Sequence, residues 1–160
     1  MGLTVFGSLA LDTTRTPFRT EVDIMGGAAT YAALASSKFV ETDILGVVGS
    51  DFPEKYLDIL RSKVGTAGLE IKSGKKTFRY DSSFNYDLSH RTSNKTELNV
   101  IAEYEPSVPN QLKTSQFVYL ANNDPIQNII LLKQFINPKL VVCDTIEFWI
   151  QTKPDAVKKM

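Results

Sequence analysis

The sequence predicts an α/β domain built on an open, mostly parallel β-sheet that is flanked by helices. Short apolar runs bounded by turn-forming residues alternate along the chain with longer stretches of helical composition. Strands that alternate with helices in this way pair in parallel through right-handed crossovers. Residues 76–104 depart from this alternation, and they predict a small second sheet beside the main one.

The first part of the chain supplies two predicted strands and an alanine-rich helix. Residues 3–6 form an apolar run that ends at a Gly-Ser pair, as expected for a buried strand. Residues 19–24 alternate polar and apolar side chains, which predicts a half-exposed strand. Gly26 and Gly27 then precede residues 28–39, whose many small side chains predict a closely packed helix.

The next predicted strand and helix follow directly. Residues 43–48 form another apolar run, which predicts a buried strand. Asp51, with Glu54 three positions later, resembles a capping box and predicts a helix over residues 52–63.

Two further strands and a helix are predicted towards the end of the chain. The strands lie at residues 117–121 and 140–143. Asp124 as the cap and Pro125 as the first helical residue predict a helix over residues 126–135.

Residues 76–104, which depart from the α/β pattern, predict a β-hairpin. Residues 77–86 and 98–104 alternate and are rich in β-forming residues, and the polar stretch 88–97 separates them. Together with the strand at 19–24 this hairpin is expected to form the small second sheet.

Composition and charge limit the function classes. Eighteen Lys and Arg residues balance eighteen Asp and Glu residues, so no global positive field would attract nucleic acid or an anionic membrane. No apolar stretch approaches the roughly 18 residues that span a bilayer. The N-terminus lacks the basic region of a secretory signal, so a cytoplasmic protein is predicted.

The cysteine and histidine content argues against thiol or zinc chemistry. Cys143 is the single cysteine, and its apolar neighbours predict a buried, unreactive thiol. Because the chain also has a single histidine, His90, a structural zinc site is excluded.

Common nucleotide-binding fingerprints are absent from the sequence. Gly74 and Lys75 are followed by Lys76 where a Walker loop needs Ser or Thr, and Leu69 stands where it needs glycine. No glycine triplet with dinucleotide-binding spacing occurs. A P-loop or nicotinamide enzyme is therefore disfavoured.

Two local features are candidates for a binding site. Asp12 follows the first predicted strand, where strand ends of open α/β sheets line the binding crevice, although an aspartate there also serves as a turn former. Gly26 and Gly27 permit close backbone approach and leave amide donors free at a helix start, which suits a polyol or an anion. A diglycine serves tight helix packing equally well.

Several short motifs occur in a defined order along the chain. They are Gly7-Ser8 followed by Asp12, Gly26-Gly27-Ala28-Ala29, Gly46-Val47-Val48-Gly49-Ser50-Asp51, Thr77-Phe78-Arg79-Tyr80, Leu120-Ala121-Asn122-Asn123-Asp124-Pro125, and Asp144-Thr145 followed by Phe148-Trp149. In order and spacing the series resembles the ribokinase (PfkB) family of carbohydrate kinases, and the likeness covers nearly the whole chain. The resemblance implies a ribokinase-like fold with a small β-sheet lid, whose strands would lie at about 15–25 and 76–104.

The resemblance also implies an acceptor-binding site for a sugar or nucleoside. The residue that matches Asp12 hydrogen-bonds sugar hydroxyls in that family, and the glycines that match Gly26 and Gly27 place their backbone against the sugar. On the lid, Phe78 or Tyr80 would cover the face of a sugar or base, with cross-strand packing as the alternative. Asn122 is a further candidate for acceptor binding.

Tyr31 departs from the family pattern. Many members place an asparagine at this position, four residues after the second glycine, where it binds sugar hydroxyls. Tyr31 therefore argues against ribose-like recognition and favours a bulkier or aromatic acceptor, with internal packing as the alternative.

A further departure concerns catalysis. The family uses a Gly-Ala-Gly-Asp type motif, whose aspartate deprotonates the acceptor, and an upstream Asn-x-x-Glu segment that helps to organise magnesium; neither occurs in this sequence. Asp51 occupies another family position, with an expected structural and helix-capping role. We therefore expect residues 1–160 to be the N-terminal part of a truncated kinase domain, with no catalytic and no metal-binding residue.

The functional expectation is phosphotransfer to a hydroxyl of a sugar or nucleoside, with ATP and Mg²⁺ as cofactors of the complete enzyme. The 160-residue chain would be inactive alone. A non-catalytic chain that binds an acceptor or associates with itself is the alternative, since family members often form homodimers through the lid sheet. A generic nucleotide-binding domain would require the motif series to be accidental.

Overall fold

The structure is a computed structural model that describes residues 2–160, which form two sheets. The main sheet is entirely parallel and has the strand order β5-β4-β1-β8-β9. Its strands are β1 (Gly2–Phe6), β4 (Glu41–Gly49), β5 (Gly65–Lys72), β8 (Phe117–Leu120) and β9 (Leu140–Cys143). The predicted open parallel sheet is therefore confirmed.

The second sheet has four strands in the order β3-β2-β6-β7. They are β2 (Ala10–Arg15), β3 (Thr20–Gly26), β6 (Phe78–Phe84) and β7 (Arg91–Glu97). The central pair β2 and β6 is parallel, whereas β3 and β7 pair antiparallel at the two edges. We call this sheet the lid sheet.

Five helices accompany the two sheets within residues 2–160. They are α1 (Ala28–Ser36), α2 (Glu54–Lys63), α3 (Pro125–Leu132), α4 (Glu147–Thr152) and α5 (Pro154–Lys159). Two short 3₁₀ segments lie at Asn99–Glu103 and Asn110–Leu112. None of the helices in the described part of the chain is long and apolar enough to cross a membrane.

Alternate residues of the central strands supply two hydrophobic cores, one on each face of the main sheet. Val5 and Ile44 face the core that also contains residues of α1 and α2. Their neighbours Phe6 and Leu45 face the second core, to which α3 contributes Leu131. This alternation follows from the two-residue period of a strand, and burial on both faces explains why these strands read as continuous apolar runs.

The lid sheet differs from its sequence prediction in three ways. The second hairpin strand is Arg91–Glu97, within the stretch that was expected to be a polar connection, and all but its last residue are exposed. Residues 98–104 form a 3₁₀ turn instead of a strand, because Val100 and Tyr104 are buried in the second core. Strand β2, from Ala10 to Arg15, was not predicted.

The boundaries of the predicted helices also need correction. Helix α1 ends at Ser36, and α2 starts at Glu54 after Pro53, with no side-chain cap. The predicted capping role of Asp51 is therefore wrong, because its carboxylate is engaged elsewhere. The cap predicted for α3 is confirmed, since Asp124 accepts a hydrogen bond from the backbone amide of Ile126 at 3.0 Å.

Cys143 is exposed, so the prediction of a buried thiol is wrong. It lies on β9, the edge strand of the main sheet next to β8. All four residues of β9 are exposed or half-exposed. Partial burial still raises the pKa of the Cys143 thiol, which disfavours the reactive thiolate.

A cluster of hydrogen bonds joins the lid sheet to the main sheet. Asp51, just after β4, accepts hydrogen bonds at 2.7 Å from both the amide and the hydroxyl of Thr77, just before β6. The Thr77 hydroxyl in turn accepts a hydrogen bond from the Gly49 amide at 3.0 Å. Arg79 adds an ion pair to Asp51 at 3.0 Å and a second one to Asp23 of β3.

The charge of Asp51 is stabilised within this cluster. Burial acts to raise its pKa, but hydrogen bonds from Thr77 and Arg79 and the Arg79 charge lower the pKa on balance. The carboxylate is therefore ionised at neutral pH and holds the first residues of β6 in place.

Thr77→Val is expected to lower the free energy of unfolding by about 2 kcal/mol, because it leaves the buried Gly49 amide without its acceptor. Urea denaturation followed by circular dichroism measures the change. Thr92→Val, at an exposed position of β7, is the matched control and should change the value by less than about 0.5 kcal/mol. Equal losses in the two variants would contradict the structural role of the Thr77 hydroxyl.

Candidate functional site

The candidate site begins with Asp12, which projects from the middle of β2 and packs against Gly26 at the end of β3. A Cβ atom added to Gly26 would overlap the Asp12 carboxylate, so this glycine provides the space that the carboxylate occupies. The antiparallel register of the two strands, with Ala10 opposite Gly26, brings the two residues together. The first role of Gly26 is therefore to accommodate Asp12.

The second glycine has a different role. Gly27 has a φ of 98°, and a Cβ there would lie 2.7 Å from the Leu9 Cα and overlap the Ser8 carbonyl. Its conformation brings the start of α1 onto Ser8, whose hydroxyl and carbonyl accept hydrogen bonds from the amides of Ala28 and Ala29, each at 3.1 Å. The expectation that these first amides are free for a ligand is therefore wrong.

Asp12 carries the clearest electrostatic perturbation in this part of the molecule. Burial raises its pKa from 3.8 to about 6, and the positive charge of Arg91 partly opposes the rise. Within residues 2–160 the Asp12 side chain makes no ion pair of its own. A half-buried carboxylate without a protein partner is a typical feature of a ligand-binding site.

Tyr31 lies on α1 and is not internal. Its hydroxyl donates a hydrogen bond to the Met25 carbonyl at 3.1 Å, while 60% of the residue is exposed. The alternative of internal packing is therefore excluded, and the ring presents its surface next to the Gly26-Gly27 segment.

The lid sheet adds two aromatic residues and a cation to the Asp12 side. Phe78 and Tyr80 are half-buried on β6, and Tyr80 lies directly opposite Asp12 in the parallel register, with Phe78 opposite Ala10. The Arg91 guanidinium lies over the Tyr80 ring, 5.5 Å from its centroid. Arg91 was missed because β7 has no apolar alternation that would have predicted a strand.

Asn122 lies on the main sheet, immediately after β8. Its side-chain oxygen is buried and accepts no hydrogen bond within the described residues 2–160. The preceding residue, Ala121, donates its amide to the Phe6 carbonyl at 2.7 Å and contacts Gly7, so Asn122 follows the carboxyl end of β8 beside the end of β1. Strand ends of this kind line the crevice of an open α/β sheet.

A cavity of about 280 Å³ is lined by residues of all four strands of the lid sheet, among them Tyr80 but not Asp12. Thr13, the neighbour of Asp12, points into it, together with Arg79, Asp81 and Lys95. Its charged groups are already paired, since Asp81 binds Arg15 at 2.8 Å and Lys95 binds Glu97 at 3.1 Å. We therefore place the candidate site on the Asp12 face.

Residues 2–160 contain no group of three or more His, Cys, Asp or Glu side chains that could hold a metal ion. The residues at the candidate site thus suit a polyol or a ring with hydrogen-bonding groups.

The solved structures that this chain resembles define its fold as that of the ribokinase-family kinases. The nucleoside kinase of Methanocaldococcus jannaschii, an archaeal member of the ribokinase family, superposes with a TM-score of 0.76 at 19% identity. The match covers 99% of this chain and 56% of that one. The resemblance inferred from the motif series is confirmed at the level of the fold.

Two other solved structures agree. Burkholderia thailandensis nucleoside kinase in complex with inosine has a TM-score of 0.73 at 14% identity, over 98% of this chain and 55% of that one. Arabidopsis thaliana ribokinase complexed with ribose and ATP has a TM-score of 0.70 at 17% identity, over 89% and 52%. The chain thus spans about half the length of these kinases.

At the level of sequence, a cytidine kinase of Thermococcus kodakarensis is 35% identical over an alignment of 79 positions, and the match covers 47% of this chain and 27% of the relative. No family model matches the chain.

Asp12→Asn should stabilise the chain at pH 8 by about 1 kcal/mol, a value reduced for the partial exposure of the carboxylate. The folded-state pKa of about 6 lies above the ordinary 3.8, so the wild-type chain loses stability as the pH rises from 3.8 through 6. The advantage of the variant should therefore shrink below pH 6 and vanish near pH 4. Urea unfolding at a series of pH values measures it.

The exposed Asp87→Asn is the control of opposite sign: hydrogen bonds from Ser89 lower the pKa of Asp87, so this variant should be less stable than the wild type at pH 8, and the difference should shrink as the pH falls through the pKa of Asp87. A stability difference between Asp12→Asn and the wild type that does not change with pH would contradict the raised pKa of Asp12.

Proposed function

We propose that the protein containing these residues transfers the γ-phosphoryl group of ATP to a hydroxyl of a sugar or nucleoside. The observation that carries the proposal is the half-buried Asp12 carboxylate, which has no ion-pair partner in residues 2–160 and lies against Gly26 in a ribokinase-type fold. A carboxylate in this setting is suited to accept hydrogen bonds from the hydroxyls of a polyol.

In this proposal the described residues bind the acceptor. Asp12 accepts hydrogen bonds from acceptor hydroxyls, Gly26 leaves the space in which its carboxylate lies, and Gly27 holds the start of α1 against Ser8. Tyr31, Phe78 and Tyr80 provide ring surfaces, and the unsatisfied oxygen of Asn122 offers a further acceptor at the sheet edge. The lid sheet would cover the acceptor and exclude water from it.

The residues that activate the hydroxyl and bind ATP and Mg²⁺ would come from outside this chain. No Gly-Ala-Gly-Asp motif occurs in the 160 residues, and positioned charge carries most of the rate in phosphoryl transfer. We therefore expect the 160-residue chain alone to have no transferase activity.

The test is acceptor-dependent ADP formation with ATP and Mg²⁺ across a panel of sugars and nucleosides. The 160-residue chain is compared with a protein extended through any reading frame that continues past codon 160. We expect activity in the extended protein, a loss of at least about 100-fold in its Asp12→Ala variant, and none in the shorter chain. No activity with any acceptor in the extended protein would overturn the proposal. Activity in the shorter chain would refute only the expectation that the catalytic and ATP-binding residues lie outside these 160 residues.

A second candidate function is self-association through the lid sheet. Phe18 and Tyr86 lie in the two hairpin turns at one end of the lid, with ring centroids 5.4 Å apart, and are 65% and 76% exposed. Exposed aromatic pairs favour protein contacts. Sedimentation equilibrium over a concentration series should show a dimer that the Phe18→Ser, Tyr86→Ser double variant weakens, whereas a monomer at every concentration would reject this candidate.

A further inference from the structure

Strand β3 has one residue more than β2 beside Asp12, so the pairing of the two strands contains a β-bulge. Val22 and Asp23 of β3 together oppose the single residue Thr13 of β2. Bulges redirect the side chains of a strand and are frequent next to active sites. This bulge lies one residue from Asp12 along β2.

The bulge sets the register that brings Gly26 next to Asp12. With the bulge, Ala10 is opposite Gly26. If the register of the outer part of the two strands continued without it, Ala10 would be opposite Met25, because the pairing would shift by one residue. The Met25 side chain would then point to the face of the sheet on which Asp12 lies, where Gly26 now leaves room for the carboxylate.

Asp23 is the bulge residue with the unusual backbone. Its φ of 55° lies in the left-handed region, where a non-glycine residue persists only if its surroundings hold it there. The hydroxyl of Tyr56 on α2 donates a hydrogen bond to the Asp23 carbonyl at 3.0 Å. Arg79 on β6 forms an ion pair with the Asp23 carboxylate. The backbone and the side chain of the bulge residue are therefore each held by a different element.

The two side chains that hold the bulge are themselves fixed in place. Tyr56 packs against the buried Phe52, with ring centroids 5.8 Å apart. Arg79 also pairs with Asp51 at 3.0 Å, just after β4 of the main sheet. Within residues 2–160 neither Tyr56 nor Arg79 is hydrogen-bonded to Asp12. Any effect of these two side chains on Asp12 therefore acts through β3.

We propose that Tyr56 and Arg79 are positioning residues for the candidate site. They hold the bulge at Asp23, and the bulge keeps the Asp12 carboxylate against Gly26, where acceptor hydroxyls would bind it. This inference rests on the acceptor-binding role proposed for Asp12. It makes acceptor binding dependent on the contact of the lid sheet with α2 and β4.

The test follows the Asp12 carboxylate itself, by carbon NMR of the 160-residue chain over a pH series without ligand. Tyr56→Phe and Arg79→Gln should each lower the pKa of Asp12 from about 6 towards 3.8, by at least about half a pH unit, because a loosened bulge exposes the carboxylate to water. Loss of the Arg79 charge by itself would raise this pKa, so a fall reports a change of position. Tyr86→Phe on the lid and Arg61→Gln on α2 are the matched controls and should leave it unchanged.

Two substitutions of Asp23 separate the bulge conformation from the ion pair. Asp23→Gly and Asp23→Val both remove the carboxylate, but glycine adopts a positive φ freely, whereas a β-branched residue does not. Asp23→Val should therefore lower the pKa of Asp12 further than Asp23→Gly. Equal effects of the two substitutions would overturn the role of the bulge.

Calorimetric titration with ribose and with cytidine then measures binding, after circular dichroism has established that each variant is folded. Whichever probe binds the wild type should bind Tyr56→Phe about fivefold more weakly. An unchanged pKa of Asp12 in folded Tyr56→Phe and Arg79→Gln would overturn the inference, and so would a lowered pKa with binding still within twofold of the wild type. A lowered pKa in a chain whose wild type binds neither probe would support the effect on Asp12 and count against the proposed acceptor site, so the two failures are distinguishable.

Discussion

The close contact between the Gly26-Gly27 segment and the chain around residues 8–12 is the constraint on which the rest of the structure depends. The missing side chain of Gly26 leaves the volume that the Asp12 carboxylate occupies, and the missing side chain of Gly27 lets Ser8 receive the first amides of α1. The main sheet, the lid sheet and α1 therefore meet at one point. A side chain at Gly26 would displace the candidate binding carboxylate, and one at Gly27 would overlap the Ser8 carbonyl.

A second contact joins the lid sheet to the main sheet, and it consists of polar and charged side chains. Asp51 binds Thr77, and Arg79 joins Asp51 to Asp23 on β3. Asp23 has a positive φ of 55°, a conformation that non-glycine residues rarely adopt. The Asp23 carbonyl also accepts a hydrogen bond from the Tyr56 hydroxyl at 3.0 Å, so α2, β3 and β6 are tied together near the base of the lid.

The charges of the lid sheet are arranged differently on its two faces. On the outer face they are paired, as in the Arg15 and Asp81 contact, and such a surface is stable without a ligand. On the other face Asp12 is half-buried and Arg91 has no carboxylate partner within the described residues. Retaining a carboxylate whose ionisation is opposed by burial costs stability, which is the usual consequence of preparing a site for a ligand.

The sequence by itself determined the α/β class and four of the five main strands, because buried parallel strands are local apolar runs. It missed β5, whose Gly65 and Gly68 resemble a loop, and it missed β7, whose exposed faces have no apolar pattern. The tertiary structure alone decided that Asp51 binds Thr77 instead of capping α2, that Ser8 takes the amides of α1, and that Arg91 lies over Tyr80. Each of these contacts joins side chains that are distant along the chain, and only the packing of the two sheets brings them together.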